Sequence, residues 1–412
     1  MKRIFQMYAG LRREVYILCF GRFVTSMGAL IWPMLTLILK SKLGFDADEV
    51  ALWFLVFSIL QLPVGLLGGK VTDRYNKRNV ILFFDLVSVA TYVIVAFLPL
   101  TPASLCIYFV GSLFQHMEWP AYDALIAEMT SDHDREKAYS LQYLGSNLGI
   151  VAAPTIGGLL FNNYLWLSFL ISGLAILTST ILIFCFIPSA VEKAQNSNTY
   201  EENKQGTLMQ VLCERRILIM YIVITCVSAI VYQQFNYLLP IQMDAMFLEQ
   251  GAVYFGMLTS TNAFVVILCT PLLTQLTLKW ADFDRLRMGA LLEIIGICSY
   301  FFYSDTLILY MISMVVFTLG EIMMTLGRSP YISKRIPSSH RGRFTSIVNI
   351  FRTVSSSLGN TVVGKIVVLY SIRQGWIFVG AVGIVLVVMM TVHKKRDMKQ
   401  FALLYEKKEE AV

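Results

Sequence analysis

Long apolar runs alternate with short polar breaks along almost the whole chain. Twelve runs of roughly 20 residues can be marked, at 15–39, 47–68, 79–99, 103–127, 138–161, 164–187, 217–240, 250–277, 286–303, 306–328, 344–369 and 371–392. Each is long enough to cross about 30 Å of hydrocarbon as an α-helix. The predicted fold class is an all-α membrane protein with twelve transmembrane helices. The longest polar segment between the first and last runs, 189–216, divides them six and six. It has the composition of a solvated linker. The expected organisation is an N-terminal six-helix bundle at 1–188, a cytoplasmic linker at 189–216, a C-terminal six-helix bundle at 217–393 and a cytoplasmic tail at 394–412.

The halves resemble each other weakly. Residues 128–141, after the fourth run, are similar to 334–347, after the tenth. At the same offset, Gly158 falls on Gly364. A repeat of about 206 residues with six runs per half is the pattern of a transporter built from two parallel-related bundles.

Composition agrees with a membrane chain. Of 412 residues, 56% are hydrophobic and 15% charged, against about 25% charged in soluble domains. The net charge of +7 is spread as a topology signal. With the first 14 residues placed in the cytoplasm, about 27 of the 34 Lys and Arg fall on that side. Only Lys40, Lys42 and Arg373 fall outside. Both termini are therefore expected in the cytoplasm, and nucleic acid is not expected as a partner. The first run, behind Lys2, Arg3, Arg12 and Arg13, is too long for a cleaved signal and is expected to be retained. The seven cysteines are scattered, so neither disulfides nor a metal site is expected. No phosphate-binding loop or nucleophile elbow is present, so no cofactor is expected and the chain is not read as an enzyme.

Between the second and third runs lies Gly69-Lys70-Val71-Thr72-Asp73-Arg74-Tyr75-Asn76-Lys77-Arg78. This decamer resembles the signature loop of the major facilitator superfamily, Gly-x-Leu-x-Asp-Arg-x-Gly-Arg-Arg/Lys. Gly69, Asp73, Arg74 and Arg78 match outright. Asn76 replaces a Gly, which suits a left-handed turn. The resemblance implies a fold of two six-helix bundles and a conformational latch at Gly69, Asp73, Arg74 and Arg78. Asp73 is expected near the amino end of the eleventh run, around Gly342 to Thr345, where the helix dipole favours a carboxylate. Such a contact forms only while the cytoplasmic face is closed. The alternative is a basic loop that only sets topology.

In the fifth run, Gly149-Ile-Val-Ala-Ala-Pro154-Thr-Ile-Gly157-Gly158 resembles the Gly-x-x-x-Gly-Pro-x-x-Gly-Gly motif of the superfamily's drug:H+ antiporter branch. Gly145 extends the small-residue face, which permits close helix approach. The bland reading is ordinary helix packing.

Ionisable groups inside apolar runs cost at least about 2.5–3.5 kcal/mol each and need a partner or a cavity. Asp85, Asp123, Glu293 and Lys365 lie near run ends, where snorkelling or loop pairing explains them. Arg22, His116, Glu118, Glu321 and Arg352 are the proton-coupling and cavity candidates. On the fourth run, Gly111, Gln115, Glu118 and Tyr122 share one helical face, and His116, Trp119 and Asp123 nearly the opposite one. Both cannot face one narrow cavity. Glu118 is expected to face it as proton carrier, with a static ion pair to Arg22 or Arg352 as the alternative. His116 is expected to pack. Antiporters of the resembled branch often carry an Arg in this run, and here there is none. Gln233, Gln234, Asn236, Tyr237, Asn262 and Trp32 are candidates for a substrate path.

The expected function is proton-coupled efflux of amphiphilic organic compounds by alternating access. The alternatives are a transporter of one defined metabolite (sugar, siderophore or peptide) and a non-transporting membrane scaffold or sensor. Expected partners are a small-molecule substrate, protons and the lipid bilayer. The chain is expected to act as a monomer in a bacterial plasma membrane.

Overall fold

The computed structural model describes residues 10–188, 212, 215–303, 305–336, 338–402 and 405. At 66, 73, 132–133, 135–136, 329, 333 and 338–343 it describes the backbone alone. The expected linker at 189–216 lies outside the described residues apart from Leu212, Arg215 and Arg216. Regular structure among the described residues is entirely helical.

In chain order the helices are α1 (Arg13–Met27), α2 (Ile31–Leu37), α3 (Ala47–Arg74), α4 (Lys77–Phe97), α5 (Pro102–Met129), α6 (Asp132–Phe161), α7 (Leu165–Phe186), α8 (Arg216–Gln233), α9 (Leu238–Phe247), α10 (Gly251–Leu276), α11 (Asp282–Cys298), α12 (Leu307–Arg335), α13 (Ser338–Leu369) and α14 (Ile372–Gln400). A π-turn at Ile38–Lys42 extends α2 and ends at Gly44, whose φ of 75° favours glycine.

Local chemistry fixes many of the ends. Thr101 and Ser104 form a reciprocal capping box at the start of α5, with Pro102 at its first position. Ser131 caps α6 and Ser371 caps α14. Asn76 departs from its expected left-handed turn. It is extended (φ −63°, ψ 120°), and its side chain accepts from the Asn79 amide, so it caps α4. The same side chain that tolerates a turn is also a strong N-cap.

The first and seventh apolar runs are each broken. The first splits at Gly28, where an added Cβ would collide with the Cβ of Ala175 on α7. The seventh splits at 234–237, between α8 and α9.

The chain divides into two compact units. Unit 1 comprises Met1–Gly44, Val56–Asn198 and Leu248–Ala263; unit 2 comprises Phe45–Leu55, Thr199–Phe247 and Phe264–Val412. Unit 1 packs α4 on α5, α1 on α6 and both α1 and α4 on α7. Unit 2 packs α11 on α12, α8 on α13 and both α8 and α11 on α14. These are the same four pairings, one half-chain later. The core of unit 1 is built around Leu18, Ile81, Phe84, Tyr122 and Ile126. That of unit 2 is built around Leu218, Tyr221, Phe283, Tyr331 and Met390.

Eight stretches among the described residues are long and apolar enough to cross a membrane: Arg13–Lys42, Ala47–Thr72, Lys77–Phe97, Lys137–Phe161, Leu165–Phe186, Arg216–Leu276, Leu307–Ile332 and Ile372–Gln400. The sixth runs through α8, α9 and α10. Helices α5, α11 and α13 are not among them. Their interior Gln115, His116, Glu118, Glu293 and Arg352 make them more polar. Outward-facing Leu52, Phe83, Phe97, Leu159, Phe184 and Ile384 are large and exposed, which suits a lipid-facing surface.

Candidate functional site

Unit 1 encloses a cavity of about 510 Å³. Its walls come from α1 (Arg22, Ser26), the break before α2 and Trp32, α3 (Phe57, Gln61), α4 (Tyr92), α5 (Tyr108 to Asp123), α6 (Gln142, Ser146) and α7 (Ser172). The break at Gly28 opens α1 onto this space, because Gly28 and Ala29 both line it. Aromatic rings dominate. Trp32 and Phe57 lie 5.9 Å apart, Tyr92 and Tyr108 5.1 Å, and His116 and Trp119 5.0 Å. Tyr92 reaches Gln115 at 3.4 Å.

The face of α5 on the cavity is the one carrying His116, Trp119 and Asp123, together with Gln115. The expectation that Glu118 faces it is corrected. Glu118 is 3% exposed and sits behind the wall, paired with Arg22 at 3.6 Å. A buried carboxylate needs an opposite charge, and α1 supplies one. Arg22 also stacks over Tyr122 at 4.1 Å. Tyr122 in turn donates to the carbonyl of Leu18. Arg22 therefore touches both the cavity and the buried pair. Asp123 is exposed; Gln142 donates to its carboxylate at 3.4 Å.

Asp85 and Glu293 are corrected too. Neither snorkels: they are 5% and 3% exposed. Thr180 on α7 donates to Asp85 at 3.0 Å. Lys365 is exposed, as a run-end residue should be.

The decamer straddles the end of α3 and the start of α4. The side chain of Asp73 lies outside the described atoms, as do those of Arg341 and Arg343. Gly69 has open space around it. Arg74 is exposed over Tyr75. Lys77 pairs with Glu128 at 2.9 Å. Arg78 donates to the carbonyl of Phe184 at 2.8 Å. The basic residues thus tie the start of α4 to the ends of α5 and α7.

The Gly/Pro run of α6 packs on two partners inside unit 1. An added Cβ at Gly149 would lie 2.6 Å from the carbonyl oxygen of Phe23, and at Gly157 2.8 Å from that of Leu30. At Gly145 the fit is looser, with an added Cβ 3.4 Å from the carbonyl oxygen of Cys19. An added Cβ at Gly158 would lie 2.5 Å from the carbonyl oxygen of Ala252, and Pro154 lies against Gly256.

Of the expected path residues, only Trp32 lines the cavity. Gln234 is buried and donates to Ile230 and to Asn360 at 3.2 Å. Tyr237 is buried and donates to the carbonyl of Ala47. Both serve packing in unit 2, because a buried amide or hydroxyl is bonded internally. Gln233, Asn236 and Asn262 are partly exposed. Glu321 accepts from Tyr232 at 2.9 Å, and Arg352 lies within electrostatic reach of Glu293. The cavity residues not anticipated (Gln61, Tyr92, Tyr108, Ser112, Gln142 and Ser146) share one signal, a polar atom inside an apolar run.

Unit 2 also holds a polar knot at the ends of α12 and α14. Arg335 and Asp397, 2% and 0% exposed, meet at 2.5 Å. Tyr405 donates to Asp397, also at 2.5 Å. Burial and that bond to a carboxylate push the Tyr405 hydroxyl well above its usual range. Arg215 donates to the carbonyl of Arg335.

The chain resembles known transporters over most of its length. It is 21% identical over 370 residues to a Na(+), Li(+), K(+)/H(+) antiporter of Planococcus maritimus, covering 79% of this chain and 82% of that one. It is 23% identical over 355 residues to the multidrug resistance protein MdtH of Yersinia pestis, covering 84% of each. Among solved structures it matches a POT family transporter in complex with 5-aminolevulinic acid, with a TM-score of 0.75 at 15% identity over 94% of this chain and 97% of that one. A nucleoside transporter, NupG, matches with a TM-score of 0.73 at 14% identity, over 92% and 98%. These structures share the fold. With the Major Facilitator Superfamily profile matching residues 18–360, the chain belongs to that superfamily of membrane transporters.

Proposed function

We propose that this transporter expels amphiphilic organic compounds in exchange for protons. It would do so as a single chain in a bacterial plasma membrane, with twelve crossings in two six-helix bundles and both termini cytoplasmic. The cavity of unit 1 carries the reading. Its aromatic walls with scattered amides and hydroxyls suit a solute that is apolar on one side and polar on the other. Behind the wall, Arg22 and Glu118 supply the coupling. With Glu118 ionised, Arg22 is neutralised and Asp123 is the exposed charge on the wall. With Glu118 protonated, the charge of Arg22 is uncompensated and turns on the cavity, disfavouring cationic solutes. Proton and solute then exclude each other, which is the requirement for exchange. The relative MdtH supports this reading by its name.

Proton release settles the matter directly. Ethidium added to purified protein in weak buffer should release protons from wild type and from Glu118→Asp, and none from Glu118→Gln. Release unchanged in Glu118→Gln removes that residue from the mechanism. A second reading, alkali cation for proton exchange, is favoured by the Planococcus maritimus relative. It predicts release on adding Na+ or K+ in place of ethidium. We further assign Gly69, Asp73, Arg74 and Arg78 to a cytoplasmic latch. Asp73→Asn should slow flux in proteoliposomes while leaving ethidium binding intact.

A further inference from the structure

Unit 2 carries a buried polar cluster away from the cavity of unit 1. Glu293 of α11 is 3% exposed. Electrostatically it faces Glu321 and Arg328 on α12 and Arg352 on α13. Tyr232 of α8 donates to Glu321 at 2.9 Å and also faces Glu293 and Arg352. Tyr221, further along α8, faces Arg328, Arg352 and Arg335. Of these, Arg335 is already neutralised by Asp397. Helix α14 also packs on α11, but it brings His393 against Phe283, at the other end of that helix.

Two donors in this cluster are unused. The hydroxyl of Tyr221, a residue 1% exposed, has no hydrogen-bond partner among the described residues, and neither has Nε of Arg328. A buried donor left unpaired is costly, so such groups in a native fold ask for an acceptor. Arg328 and Arg352 lie within electrostatic range of each other in unit 2. Two guanidiniums in a membrane interior are stabilised by an anion between them. The planar fork of arginine matches a carboxylate. Glu321, Arg328 and Arg352 are all partly exposed.

We propose that this cluster binds a carboxylate monoanion together with one proton. Charge balance sets the pairing. With Glu293 and Glu321 both ionised, the two arginines are already matched. A further anion would leave a net negative charge inside the membrane, which is strongly disfavoured. One proton taken from bulk water onto Glu293 restores neutrality. Glu321 already accepts from Tyr232, so Glu293 is the carboxylate that takes it. The bound anion then accepts from Nε of Arg328, from Arg352 and from the hydroxyl of Tyr221. These residues are distinct from those of the unit 1 cavity, and the proposal stands without that reading.

The test is a titration of the purified full-length protein with sodium benzoate in weak buffer, recording heat and pH together. About one proton should be taken up per benzoate bound, and the Kd should tighten about tenfold for each unit of falling pH while Glu293 is ionised in the free protein. Arg352→Gln should lose binding. Arg352→Lys, which keeps the charge without the fork, should weaken it and still melt as wild type does. Tyr221→Phe should weaken it several-fold. Glu293→Gln should bind benzoate with neither proton uptake nor pH slope. Binding without proton uptake in wild type, or binding unaltered in both Arg352 variants, overturns the proposal. Potassium phosphate and phosphatidylglycerol micelles form the other arms. If either binds in place of benzoate with the same dependence on Arg352, the carboxylate assignment falls.

Discussion

Arg22 borders the cavity of unit 1 and pairs with Glu118 behind it. Removing one partner of such a buried pair costs about 3–5 kcal/mol, because the other charge is left stranded. Glu118→Gln should therefore lower the melting temperature in detergent, and adding Arg22→Gln should recover part of the loss. A double variant no more stable than Glu118→Gln alone would show that the two charges do not stabilise each other. The sequence made the two faces of α5 plain, but not which of them meets α1. That choice depends on where Arg22 lies across the bundle, and helical periodicity carries no information about a neighbouring helix. Asp85 was misplaced for the same reason. Thr180, its partner, lies 95 residues away.

Among the helices, α6 comes close to α1 where Gly149 meets the backbone of Phe23, and Gly157 meets that of Leu30 just beyond the end of α1. Gly149→Ala would place a Cβ 2.6 Å from a carbonyl oxygen, which cannot swing aside as a side chain would. Overpacking of this kind costs about 1–3 kcal/mol. Gly69→Ala, on α3 with open space around it, should be neutral or stabilising by up to about 1 kcal/mol. Melting temperatures of the two variants, measured side by side, check the contrast. The Gly/Pro pattern announced close packing in the sequence, though not its second partner on α10. Helix ends were less legible. Helix α6 begins at Asp132 and α14 persists to Gln400, beyond the apolar runs. A helix can continue into polar surroundings, whereas hydropathy stops at the hydrocarbon. The breaks inside the first and seventh runs left no mark on hydropathy either.

At the scale of the molecule, the repeat seen in the sequence returns as packing. Gly158 meets the backbone of Ala252 and Val253 in unit 1, and Gly364 meets that of Ala47 and Asp48 in unit 2. Both pairs are related by about the same 206-residue offset, which a weak sequence likeness could only suggest. Each unit also carries two carboxylates on equivalent helices: Asp85 and Glu118, both buried, on α4 and α5, and Glu293, buried, with Glu321, partly exposed, on α11 and α12. The knot of Arg335, Asp397 and Tyr405 has one further consequence, for where the chain tolerates being cut. A deletion beginning after His393 removes Asp397 and strands the guanidinium of Arg335, again at about 3–5 kcal/mol. Such a shortened protein should be degraded in cells or aggregate on extraction, as size-exclusion chromatography would report. A stop codon placed after Tyr405 leaves the knot whole and should yield protein that purifies as the full chain does. What hydropathy would class as a dispensable tail holds, in Asp397 and Tyr405, structural members of unit 2.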